Sequence, residues 1–181
     1  EVLLALARTI ESKLPGRVVV TPTPKYSSQS NPAEPIVRLV EEQFVTQLAA
    51  LERAYGMSIG PEHPLWSWGI RHAGWVVDKL RVRPSGSTPY FDATGVNYTG
   101  AILPFGETCL VRLPRSKARH YKGRQLRKGD YGWVRAIYAG RLEEGDEHVA
   151  LTEFGAQFSR TVRRLPPSGR ADTALIQVVK G

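Results

Sequence analysis

The chain has 181 residues, 41% of them hydrophobic, with four Trp, seven Tyr and five Phe; that is enough apolar material for a core and excludes wholesale disorder. A single cysteine excludes an internal disulfide framework and a multi-cysteine zinc site, and no run nears the roughly 18 consecutive apolar residues of a membrane span. The net charge of +8 is concentrated between Arg112 and Lys128, where eight basic residues meet no acid. Such clustering is the footprint of a polyanion, most often nucleic acid, although a solvated loop that only aids solubility has the same composition. No charged stretch followed by an apolar one reads as a secretory leader, so the expected location is nuclear or cytoplasmic.

In chain order, Leu3, Leu6, Ala7, Ile10 and Leu14 recur at helical spacing until Pro15-Gly16. "RVVVTP" follows as a short strand whose consecutive valines suit burial on both faces. Asn31 reads as a helix cap with Pro32 at the first helical position. Val37, Val40, Phe44, Leu48 and Leu51 then mark one apolar face, and Gly56 closes the helix. Pro35, near the fourth residue, would remove one backbone donor. A second helix is predicted from Pro64 to about Leu80, with Leu65, Trp68, His72, Trp75, Val76 and Lys79 on one stripe.

"RPSGSTPYFDATGVNYTG" reads as a long connection rich in turn formers. After "PFGE" the period changes to two. "TCLVRL", "YGWVRAIYAG", "EHVALT" and "FSRTVRRL" are strand candidates, and four or five strands in so short a span suggest a small barrel. The expected organisation is α+β: residues 1–103 mixed helix and strand, 104–165 a basic all-β module, and 166–181 a tail or linker.

Few residues carry chemistry by themselves. Glu34 lies where a carboxylate complements the positive end of a helix dipole, a commonplace arrangement. Metal-assisted phosphoryl chemistry needs further acids beside it, and Glu1 and Glu11 belong to the preceding helix. His63, His72, His120 and His148 show no metal-ligand spacing, and His72 between Trp68 and Trp75 reads as a satisfied, partly buried histidine. Cys109 reads as a small core residue, and Ser27, Ser28 and Ser30 form no recognisable nucleophile set. Trp66, Trp68 and Trp75 read as core; Trp133 sits in the basic module, where aromatic-plus-Arg surfaces bind nucleic acid, but core is the reading preferred for it too.

Taken together, three segments resemble copia-type retrotransposon integrases. "YSSQSNPAE" before a long helix is similar to the segment around the last carboxylate of that family's Asp-Asp-Glu core. "HPLWSWGIRHAGWVVDKLRVRPSGSTPYFDATGVNYTG" resembles its C-terminal core helix and the connection after it, and "FGETCLVRLP" with "GDYGWVRAIYAGRLEEGDEHVALTEFGAQFSRTVRRLP" resembles its Src-homology-3-like barrel. The likeness spans about residues 1–165; Pro32 and Pro35 depart from the pattern around Glu34, and Asp78 stands where Asn is usual.

The resemblance implies an incomplete RNase H-like core followed by an SH3-like barrel. It makes Glu34 the third catalytic carboxylate and a ligand of Mg²⁺ or Mn²⁺, in a parent that transfers DNA strands during integration. The two Asp partners fall outside these 181 residues, so this chain alone is expected to bind no metal and to be inactive. Arg112, Arg115, Lys117, Arg119, Lys122, Arg124, Arg127 and Lys128 would contact DNA phosphates without reading bases. The expected partners are DNA and further copies of the chain in a homo-oligomer, with no membrane. The competing expectation is a non-catalytic structural or protein-interaction module of a decayed or domesticated retroelement; an intact nuclease ranks third.

Overall fold

The structure is a computed structural model that describes residues 33–113 and 132–181, with the backbone of 120–121 and 124–125. The expected first helix and the "RVVVTP" strand lie outside the described residues, as do the Asn31 cap and Pro32. The chain divides into two compact units, Glu1–Arg38 and Leu39–Gly181, and the second holds the described core.

Helix α1 spans Glu34–Tyr55 and buries Phe44, Leu51 and Tyr55. Val37 N–H donates to Ala33 O at 2.9 Å, so the first helical hydrogen bond is already closed there. Pro35 is therefore the second helical residue rather than the fourth, where its missing donor would be an orphan anyway. Gly56 ends the helix at φ +65°, with its N–H on Glu52 O at 2.8 Å. The Glu52 carboxylate then accepts from Ser58 and from Ile59 N–H, fixing the turn that buries Ile59.

Helix α2 runs Pro64–Leu80, as the sequence predicts, and buries Leu65, Gly69, His72, Ala73, Trp75 and Val77. The inward stripe is thus rotated slightly from the expected one: Val77 replaces Val76, and Trp68 is half-buried. Gly69 is needed for the crossing with α1, because a Cβ there would come within 2.8 Å of the Phe44 ring. The sequence offered no sign of α3, Pro89–Thr94, a six-residue helix capped by the Thr88 hydroxyl and closed by Gly95 at φ +76°.

Seven strands follow: β1 Thr108–Arg112, β2 His120–Tyr121, β3 Arg124–Gln125, β4 Trp133–Arg141, β5 His148–Thr152, β6 Gly155–Ser159 and β7 Val162–Arg164. Five form one antiparallel sheet in the order β6-β5-β4-β1-β7, and β2 pairs with β3 as a separate hairpin between β1 and β4. The expected strand "FSRTVRRL" is two strands. Ser159 breaks it, donating its hydroxyl to Arg112 O at 2.6 Å and accepting from Thr161 N–H at 3.1 Å. Register in β4 shifts between Tyr138 and Gly140. Gly140 takes φ +122°, and a Cβ there would sit 2.9 Å from His72 Nδ1, so the bulge is where the sheet admits the α2 side chain.

The helices and the sheet share one core. Leu51, Tyr55, Ile59 and Leu65 pack with Ile137, Val149 and Leu151, and a second cluster of Leu103, Cys109, Val111, Ala136, Tyr138 and Ala150 fills the other sheet face. The change of pattern near Leu103 is therefore a change of secondary structure within a shared core. Residues 166–181, expected as a tail or linker, are folded. A 3-10 turn at Pro167–Gly169 leads into helix α4, Thr173–Val178, capped by Asp172. Ile176 is fully buried, Val179 nearly so, and Lys180 bridges to Thr152.

Candidate nucleic-acid interface

Strand register assembles the surface that matters. Directly opposed residues in an antiparallel pair share a face, and residues two apart along a strand share it too. Thr108 pairs with Ile137; Leu110 pairs with Arg135 on one side and Arg163 on the other; Arg112 pairs with Trp133. One face of β4-β1-β7 therefore carries three successive rows. In the first, Thr108 and Ile137 are fully buried. The second sets Arg135, Leu110 and Arg163 side by side, and the third sets Trp133 beside Arg112; all three arginines are exposed. A single face passes from core to surface along its length.

The C-terminal segment covers the first row. Arg170 O accepts from Thr108 N–H at 2.7 Å, and Asp172 N–H donates to Thr108 Oγ1 at 3.0 Å. Asp172 then reaches Arg135 at 3.3 Å. Beyond that pair the face has an aromatic and basic character: the Arg163 guanidinium lies 4.8 Å from the Trp133 ring centroid. Arg112 and Arg163 have no carboxylate partner among the described residues. Beside Arg112, a cavity of about 470 Å³ opens between Leu113, Phe158, Arg160 and Thr161.

Other charged groups are structural. Glu107 is buried and takes both Arg164 donors, at 2.6 and 2.7 Å, with Arg170 at 3.4 Å, tying β7 and the C-terminal segment to the start of β1. This fork raises the pKa of Arg164. Arg141 is also buried. It donates to Ala101 O at 2.9 Å and to Asp146 O at 2.8 Å, and lies 3.1 Å from His148 Nε2. A guanidinium only donates, so His148 Nε2 must accept and Nδ1 must carry the proton, without a partner. Burial, then the Arg141 charge, pushes His148 down to about 4.

His72 is held between Trp75 and Phe105, at ring separations of 5.6 and 5.4 Å. It is buried, as the sequence suggests, but it is not satisfied: Nδ1 has no hydrogen-bond partner, and burial pushes the pKa down to about 4. His63 caps α2, accepting from Leu65 N–H through Nδ1 and meeting Ile176 O through Nε2 at 2.9 Å. Cys109 is buried with its thiol pushed up to about 12, first by burial and then by Glu107, consistent with a core residue.

Of the residues expected to act, Glu34 is exposed in the first turn of α1. Among the described residues no group of three or more His, Cys, Asp or Glu could hold a metal ion, and no helix is long and apolar enough to cross a membrane. Arg112 ends β1 and Arg124 begins β3; Arg115, Lys117, Arg119, Lys122, Arg127 and Lys128 lie outside the described residues. The sequence did not single out Arg135 or Arg163, and for Trp133 it favoured a core position where the structure leaves the ring half-buried. The available signal was period two: Trp133 and Arg135 alternate with Val134 and Ala136, which face the second cluster. Compared with known proteins, the chain matches no family model, no curated protein and no solved structure.

Proposed function

We propose that the chain is the C-terminal part of a copia-type integrase, a partial RNase H-like core and an SH3-like barrel that binds DNA through its phosphates. The observation that carries this reading is the outward face of β4-β1-β7 that holds Arg135, Arg163 and Arg112, of which Arg112 opens the basic segment that ends at Lys128. Support comes also from topology: in the order β6-β5-β4-β1-β7, the last strand returns beside the first, as in a small meander barrel. The long β1–β4 connection, with its β2-β3 hairpin, is where the basic residues fall. Catalysis belongs to the intact parent, where Glu34 and two upstream Asp would hold Mg²⁺ or Mn²⁺; this chain contributes DNA binding.

The test is affinity for a random-sequence duplex over a salt series. Each neutralised phosphate contributes a slope of about −0.9 in log K against log salt, so four contacts give roughly −3.6. Changing Arg115, Lys117, Arg119 and Lys122 together to Ser should flatten the slope by several units. Salt-independent affinity, or no binding at low salt, removes the proposal. Binding left unchanged by the four substitutions, with an altered oligomeric state, favours the protein-interaction module instead.

A further inference from the structure

We infer that the β4-β1-β7 face takes unpaired nucleotides, with the Trp133 indole as the stacking surface and Arg112 and Arg163 on the flanking phosphates. The inference rests on the DNA-binding reading above and deepens it by naming the form of nucleic acid.

The argument begins with what the face offers besides charge. A duplex presents phosphates to its surroundings and keeps the faces of its bases stacked on one another, so an indole gains little from it. A single strand offers both a charged backbone and free base faces, and proteins that hold it interleave cations with aromatic side chains. The outer half of this sheet face has that mixture. Trp133 is half-buried, which fixes its ring, and the register places Arg112 opposite it on the neighbouring strand. Arg163 comes from one strand further over and lies against the indole at 4.8 Å, so cation and ring are set together before any ligand arrives. Leu110 separates Arg163 from Arg135, giving the row an apolar centre with a guanidinium on each side.

Charge is also distributed as a strand would need it. Arg135 is engaged by Asp172 at 3.3 Å, while Arg112 and Arg163 have no carboxylate partner among the described residues. Of these two unneutralised residues, Arg163 sets its guanidinium against the indole and Arg112 is paired directly opposite Trp133 in the sheet. Neighbouring strands stand about 4.8 Å apart, so the path from β4 across β1 to β7 is roughly 10 Å, long enough to seat one or two nucleotides. The other three tryptophans lie on α2, where Trp75 is buried and Trp66 meets Phe44 edge-on at 5.0 Å. Among the described sheet strands, Trp133 is the tryptophan.

The experiment measures binding of the full chain to a fluorescein-labelled oligo-dT and to a duplex of equal length, at fixed salt. Oligo-dT should bind at least tenfold more tightly than the duplex. Trp133→Leu should weaken oligo-dT binding roughly 5- to 150-fold, the loss corresponding to one stacked base, with the salt slope unchanged. Trp133→Phe, which keeps an aromatic face, should restore most of it. Arg163→Ser should instead reduce the salt slope. The Phe variant guards against a Leu variant that fails to fold, since it preserves the packing of the half-buried ring. Equal affinity for the two probes, or a Trp133→Leu variant that folds and binds oligo-dT normally, overturns the inference while leaving phosphate-based DNA binding intact. Absence of binding to both probes overturns the DNA-binding reading itself and this inference with it.

Discussion

Acidification from pH 7 to pH 5 should destabilise the domain, because two histidines are buried in their neutral form. His72 and His148 each fall from an ordinary 6.5 to about 4 in the fold. For His72 the cause is burial between aromatic rings; for His148 it is burial, followed by the Arg141 guanidinium that occupies the Nε2 lone pair. Below pH 6.5 the unfolded chain takes up both protons, whereas the folded chain resists until near pH 4. Stability is therefore complete above pH 6.5 and is lost as the pH falls through that window. Each histidine contributes a limiting slope of about 1.4 kcal/mol per pH unit, reached below its unfolded value, so the pair costs roughly 3 kcal/mol between pH 6.5 and 5. That is a large share of the about 5–15 kcal/mol typical of a domain. Urea unfolding followed by tryptophan fluorescence at pH 7, 6 and 5 reads this as a midpoint lower by about 2 M at pH 5. His72→Gln should halve the slope over the same interval. A midpoint that does not move between pH 7 and 5 refutes the burial of these rings as neutral bases.

Three further outcomes are expected. Ile176→Ala should cost about 2–5 kcal/mol in chemical denaturation, and removing residues 166–181 should abolish cooperative unfolding, because Ile176 is fully buried. Gly140→Ala and Gly155→Ala share a left-handed φ, of +122° and +106°, and each should lose about 1–3 kcal/mol from backbone strain. Only Gly140→Ala also meets His72, at 2.9 Å, so its melting temperature should fall further, and equal losses would contradict the close approach. Tyr55→Phe removes a hydroxyl that donates to Gly106 O at 2.7 Å and meets Thr108 Oγ1 at 3.1 Å; a loss of about 1–2 kcal/mol is expected by calorimetry.

How far the fold was legible depended on the length of each element. Helix α2 announces itself over 17 residues, with a proline at its start, and the bounds Pro64–Leu80 follow. Helices α3 and α4 have six residues each, too few for a period to register, and their caps, Thr88 and Asp172, look like ordinary turn residues. The packing of the last segment was hidden for the same reason: Ile176 and Val179 are a sparse signal, and their partners Ile59, Leu65 and Leu151 lie far back in the chain. Ser159 looks like any strand residue until its hydroxyl is seen turning the chain.

The candidate interface was half legible. The basic run from Arg112 is plain in the sequence as composition. The pairing of Trp133 with Arg163 is not, because 29 intervening residues separate them and only the positions of β4 and β7 on either side of β1 bring them together. Alternation fixes which residues share a face of one strand. It does not say which strands are neighbours, nor that Arg112, Arg135 and Arg163 at the outer end of this face are exposed.

The path of residues 166–181 across the foot of the sheet also bears on how the protein is made. The His63 ring caps the start of α2 and meets the carbonyl of Ile176, and Lys180 bonds back to Thr152. Helices α1 and α2 and all five strands of the large sheet precede in the chain the segment that completes their core. Until that segment docks, apolar side chains such as Ile59 and Leu151 lack part of their packing. The core that α1, α2 and the sheet begin is completed only when Ile176 and Val179 are in place, so a chain cut before Ile176 would expose that apolar surface to aggregation.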